Sequence, residues 1–97
     1  VVRISWTEES IRWLEDIFEY IAAENPAAAE QVVQGIYQRA QRLSQFPHMG
    51  YRYDRSEREV RILLYGHYRI AYLVKPNGDV DILGVFHGAL DLTKYRL

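Results

Sequence analysis

The chain has 97 residues, 48% of them hydrophobic, with 12 basic and 13 acidic side chains and a formal net charge of −1. That length suits one domain over residues 1–97 with a single core of modest size. The absence of cysteine excludes disulfides and thiolate metal sites, no apolar run approaches the roughly 20 residues of a membrane span, and no signal-peptide pattern opens the chain, so a cytoplasmic protein is expected.

Residues 2–6, VRISW, alternate as a short strand does. Thr7 then reads as a helix N-cap, with Glu8 and Glu9 near the positive end of the helix dipole. Ile11, Leu14, Phe18, Ile21 and Ala22 share one helical face, which Trp13, Ile17 and Tyr20 widen beyond the stripe of an ordinary surface helix. A face that wide packs on two elements of its own domain or awaits a partner. Asn25-Pro26 ends this helix and caps a second one, whose stripe is Ala29, Val32, Val33, Ile36, Ala40 and Leu43. Residues 7–46 are therefore expected to form an antiparallel helical hairpin.

The segment PHMGYRYDRSER, 47–58, breaks the periodicity and mixes Arg and Tyr with acids. It reads as a solvated connection or as a contact surface, because Tyr and Arg carry interface hot spots. Charge is uneven along the chain: residues 1–46 hold four arginines against seven acids, and 47–69 hold five arginines against three acids. With a total near zero, any basic patch is local, which argues against a general nucleic-acid binder.

Three strand-like runs follow: EVRILLY (59–65), HYRIAYLVK (67–75) and DVDILGVFH (79–87). Gly66 separates the first two, and Asn77-Gly78 after Pro76 signals a hairpin. Both faces of these runs are apolar, as when helices cover one face and something else the other. A two-residue turn at Asn77-Gly78 sets Arg69 opposite Phe86 and Tyr68 opposite His87, whereas a three-residue loop reverses the parity. Spacing alone leaves open whether Arg69 and His87 share a face. The tail ALDLTKYRL is short, and its sequence allows an extended segment or one ordered by a partner. The sum is an α+β domain of order β-α-α-β-β-β, with a helical hairpin on a curved antiparallel sheet.

No phosphate-cradling glycine motif is present, and His48, His67 and His87 lack metal-ligand spacing, so neither cofactor nor metal is expected. Arg61, Arg69, His87, Tyr68 and Tyr95 remain, all on or beside the predicted sheet. In one account the arginines pair with Asp81, Glu57 or Glu59 or reach solvent. In the other they form a cationic pocket that stabilises a pentavalent phosphate while His or Tyr moves a proton.

The ordered set Trp6-Thr7, YIAAENPAAA (20–29), LSQFPHMG (43–50), Val60-Arg61, YRIAY (68–72) and VDILGVFHG (80–88) resembles the RelE/ParE superfamily of type II toxin–antitoxin toxins. The resemblance is closer to ParE-like members, which implies a non-enzymatic inhibitor of DNA gyrase, neutralised by a cognate antitoxin and acting in growth arrest and plasmid stabilisation. The RelE-like alternative is a ribosome-dependent mRNA endoribonuclease with Arg61, Arg69, His87 and Tyr95 as catalytic candidates. Against it, the strand before Tyr68-Arg69 has no lysine, and Gly88-Ala89 stand where that branch has a second arginine. Under the ParE-like reading Tyr51, Arg52, Tyr53, Arg55 and His87 are target-contact candidates, and Trp13, Ile17 and Tyr20 are antitoxin-binding candidates.

Overall fold

The computed structural model describes residues 1–97. Its strands are β1 (Ile4–Trp6), β2 (Tyr51–Arg52), β3 (Val60–Tyr65), β4 (Tyr68–Val74) and β5 (Val80–His87), and its helices are α1 (Glu8–Ala22) and α2 (Pro26–Gln41). Thr7 joins β1 to α1 and ties both to the sheet. Its hydroxyl accepts from the Ser10 N–H at 3.1 Å and donates to the Ile82 carbonyl at 2.8 Å. Ser10, the one fully buried residue of α1, returns a hydrogen bond to the Thr7 carbonyl at 2.7 Å. Asn25 caps α2 through the Ala28 N–H at 3.1 Å, with Pro26 in the first turn as predicted.

The five strands lie in the order β1-β5-β4-β3-β2. The last three form the expected antiparallel meander, and a short β2 within the 47–58 segment adds to the β3 edge. β1 pairs parallel to β5, Ile4 opposite Val80 and Trp6 opposite Ile82, so the sheet is mixed rather than wholly antiparallel. Alternation reveals a strand but carries no direction, which is set here by the helical hairpin that follows β1.

The β4–β5 connection also differs from a two-residue turn. Lys75 and Asp79 close a three-residue loop, with Gly78 at φ 92°. Val74 consequently pairs with Val80 and Tyr72 with Ile82. An extra residue, Leu83, then interrupts the ladder, and Ala71 pairs with Gly84. This bulge reverses the parity a second time, so Arg69 does face Phe86 and Tyr68 does face His87.

One face of the sheet meets the helices: Ile36, Ala40 and Leu43 pack on Leu63, Ile70, Tyr72, Val80, Ile82 and Val85. The other face is covered by the chain's own tail. Leu92 lies over Ile62, Ala71 and Phe86, flanked by Tyr53, Leu90, Tyr95 and Leu97. Trp13 touches both clusters around the open side of β5, with its ring 4.7 Å from Phe86 and 5.6 Å from Tyr95.

Candidate functional site

The sheet register sets the four nuclease candidates on two faces. Cross-strand partners share a face, so Arg61, beside Tyr72, and His87, beside Tyr68, lie on the helix side. Arg69, beside Phe86, lies on the tail side, where the Tyr95 ring sits 5.2 Å from Phe86. Arg69 donates through Nη2 to the carbonyls of Leu90 and Gly88, while its buried Nε–H has no partner. Its guanidinium thus clamps the start of the tail. His87 accepts the Ala89 N–H on Nδ1 at 3.1 Å, which leaves Nε2 as the protonated nitrogen of the neutral ring. Tyr68 meets that ring edge-on at 5.6 Å, and His67 stacks on it at 6.3 Å.

Arg61 is held at the far end of the helix-side face. It donates to Glu59 Oε2 at 3.1 Å and to the carbonyls of Gly50 and His48 at 2.7 and 3.2 Å. The same Glu59 oxygen lies 3.2 Å from His48 Nε2. The Arg61 hydrogen bond, with the nearby positive charges, holds the Glu59 carboxyl below the usual range. The fully buried Tyr72 completes the cluster: its hydroxyl donates to the Pro47 carbonyl at 2.8 Å and accepts from the Gly50 N–H at 3.0 Å. Burial pushes that hydroxyl's pKa up. Arg61 and Tyr72 therefore explain the PHMG motif as the segment the sheet holds by its backbone.

Several open concavities remain, one of them a small one of about 330 Å³ at the β3–β4 turn that Arg69 and His87 line together with His67 and Tyr68. Two others bear on the antitoxin-binding and target-contact candidates. The first is an apolar groove of about 550 Å³ between α1 and the end of β5, lined by Trp13, Ile17, Tyr20, Ile21, Tyr68, Val85, His87 and Leu90, with Asp16 as its carboxylate. It unites all three antitoxin-binding candidates. Tyr20 is 85% exposed, whereas Trp13 is half-buried against Phe86. β1 stops opposite Ile82 while β5 runs on to His87, so residues 83–87 have a strand neighbour on one side only. Sequence reading singled out Tyr68 but did not place it, Val85 or Leu90 in this groove. The first two share the sheet face of His87, which an alternating pattern signals only once the register is known.

The second concavity, about 400 Å³, lies between the 53–55 turn and the tail and is lined by Tyr53, Arg55 and residues 93–97. It takes Tyr53 and Arg55 from the target-contact set and adds Tyr95, Lys94 and Arg96. Tyr51, half exposed, sits on the tail face beside Ile62, while Arg52, beside Arg61, donates to the Arg58 carbonyl at 3.2 Å. His87 stands apart from these residues, in the groove. No cluster of His, Asp or Glu side chains is arranged to hold a metal ion, and no helix is long and apolar enough to cross a membrane.

The fold is shared with solved toxin–antitoxin structures. A chain of the chromosomal ParDE system from P. aeruginosa is 24% identical, with a TM-score of 0.72, over 89% of this chain and 95% of that one. A chain of the RelBE2 toxin–antitoxin complex from Mycobacterium tuberculosis is 23% identical, with a TM-score of 0.59, over 89% and 96%. No curated protein matches the chain in sequence. The family model for the ParE toxin of the type II toxin–antitoxin system parDE matches residues 4–92. Across nearly its whole length, then, the chain belongs to the ParE toxin family of type II toxin–antitoxin systems.

Proposed function

We propose that this toxin inhibits DNA gyrase in the cytoplasm rather than cutting messenger RNA, and that a cognate antitoxin neutralises it by occupying the α1–β5 groove. The observation that carries the choice of target is the dispersal of the nuclease candidates. Arg69 and His87 both line a concavity at the sheet end, but Arg61, tied to Glu59 and the Gly50 carbonyl at the far end of the helix-side face, and Tyr95 do not join them, and the Arg69 guanidinium is taken up by the Gly88 and Leu90 carbonyls. General acid–base chemistry on a phosphate needs those groups within hydrogen-bond reach of one reacting centre. Purified protein is assayed in parallel for gyrase supercoiling with trapped cleaved DNA and for mRNA cleavage on programmed ribosomes. Trapped DNA with intact RNA is the expected result; cut RNA with unaffected gyrase overturns the reading.

The antitoxin reading rests on the groove's apolar lining and on the single-sided end of β5, which together suit an extended segment with apolar anchors. Tyr20 is the discriminating residue, because truncating so exposed a side chain leaves stability within about 0.5 kcal/mol. Tyr20→Ala is expected to weaken antitoxin binding by roughly tenfold or more, as loss of a hot-spot aromatic does. Unchanged affinity by calorimetry would remove the groove from the antitoxin interface.

A further inference from the structure

The concavity beside the tail has a chemistry that the groove lacks. Arg55, Lys94 and Arg96 line it, and no carboxylate side chain does. None of the three is in an ion pair, the molecule's pairs being His48–Glu59, Arg61–Glu59 and Lys75–Asp81. Three cations gathered in a concave site, with one carboxylate beside it and none in its lining side chains, favour an anion there. Two tyrosines share the lining, Tyr53 and Tyr95, both half-buried and so fixed as walls. Tyr95 is braced by Phe86 and Trp13, and the tail is joined to the 53–58 turn by the Ser56 hydroxyl, which donates to the Leu97 carbonyl at 2.9 Å. The nearby carboxylate is Asp91, which accepts from the Thr93 N–H and hydroxyl at 3.0 and 2.6 Å.

We infer that the cleft between Arg55 and Lys94–Arg96 binds the phosphodiester backbone of DNA, so that the toxin contacts the nucleic acid as well as the enzyme acting on it. This inference rests on the gyrase reading for its setting, since a gyrase inhibitor meets duplex DNA at its target. The contact is independent of sequence, because phosphate contacts position a protein without reading bases. Held next to DNA by gyrase, even a weak phosphate contact gains from effective concentration.

The test is fluorescence anisotropy of the whole chain, without gyrase, on a labelled DNA duplex and on a single-stranded RNA of equal length across a salt series. Binding is expected to weaken steeply with salt, and Arg55→Ala/Lys94→Ala/Arg96→Ala is expected to lower the log–log slope by roughly 2 to 3, about 0.9 for each phosphate no longer neutralised. Lys75→Ala, at the opposite β4–β5 turn, is expected to leave binding unchanged. Asp91→Asn removes the opposing charge and is expected to tighten DNA binding several-fold, which keeps the inference testable should the triple variant misfold. No DNA binding by the wild-type chain, an unchanged slope in the triple variant with no gain in Asp91→Asn, or tighter binding to RNA than to DNA each overturns it. Gyrase supercoiling is measured in a separate reaction, so loss of the gyrase reading and loss of the DNA contact are read independently.

Discussion

Tyr72 has the most closely defined role of any single side chain. Its ring is fully buried, and its hydroxyl satisfies both the Pro47 carbonyl and the Gly50 N–H. Tyr72→Phe keeps the ring but orphans the buried Gly50 N–H and the part-buried Pro47 carbonyl, for an expected loss of about 1–3 kcal/mol in urea unfolding. The sign of the pH dependence follows from burial, which disfavours the phenolate and raises the folded pKa above 10.0. Above that pH the unfolded chain loses the proton first, so the stabilisation is present below 10.0 and is lost as pH climbs through the folded value. Tyr72→Phe is expected to flatten that alkaline fall; an unchanged fall would assign it to other tyrosines. Gly50 is constrained from the same side, since a Cβ there would lie 2.7 Å from the Ile62 carbonyl oxygen and 2.8 Å from the Tyr72 ring. Gly50→Ala is expected to cost about 1–3 kcal/mol by overpacking, read from the same unfolding curves.

Among the elements, the helical hairpin was the most legible from sequence, because Thr7 and Asn25-Pro26 signal their caps locally and the α2 stripe needs no knowledge of its partner. The sheet was legible as strands and less so as a sheet. β1 announces itself by alternation, yet its parallel direction is a tertiary fact. The bulge at Leu83 left one trace in ILGVF, a glycine inside a strand. A Cβ at Gly84 would come within 2.7 Å of the Phe86 ring and 3.4 Å of Trp13, so the glycine marks a close approach. The site was partly legible: Trp13, Ile17 and Tyr20 do line one groove, but the placement of Arg69 and His87 depends on a loop and a bulge that cancel in parity. The tail was the least legible, because ALDLTKYRL has no period and its order comes from the sheet beneath it. Leu92, 5% exposed, caps Ile62, Ala71 and Phe86. Leu92→Ala is therefore expected to cost about 2–4 kcal/mol, as a buried leucine does. A change below about 0.5 kcal/mol in thermal or urea unfolding would mean that the tail leaves the sheet in solution.

Over the whole molecule, the sheet divides two electrostatic surfaces. α1 and its flanks, residues 7–24, expose Glu8, Glu9, Glu15, Asp16, Glu19 and Glu24 against the single base Arg12. The tail side gathers Arg55, Lys94 and Arg96. A net charge of −1 conceals this separation. Under the two proposals above, antitoxin and nucleic acid take different faces and do not compete for one surface. If the antitoxin occupies the groove as proposed, a segment suited to the acidic side has apolar anchors and Lys or Arg beside them, and the field of α1 would steer its encounter. Association measured by stopped-flow is expected to slow by roughly tenfold as ionic strength rises from about 0.01 M to about 0.15 M, where the screening length shrinks from ~30 to ~8 Å. Dissociation, governed by apolar contacts in the groove, is expected to change far less. Glu15→Gln/Asp16→Asn/Glu19→Gln removes three charges from the exposed side of α1 and is expected to flatten the salt dependence while leaving unfolding nearly unchanged. An association rate indifferent to salt in the wild-type chain would show that the acidic helix plays no part in capturing the antitoxin, and that the groove's shape and apolarity alone select its occupant.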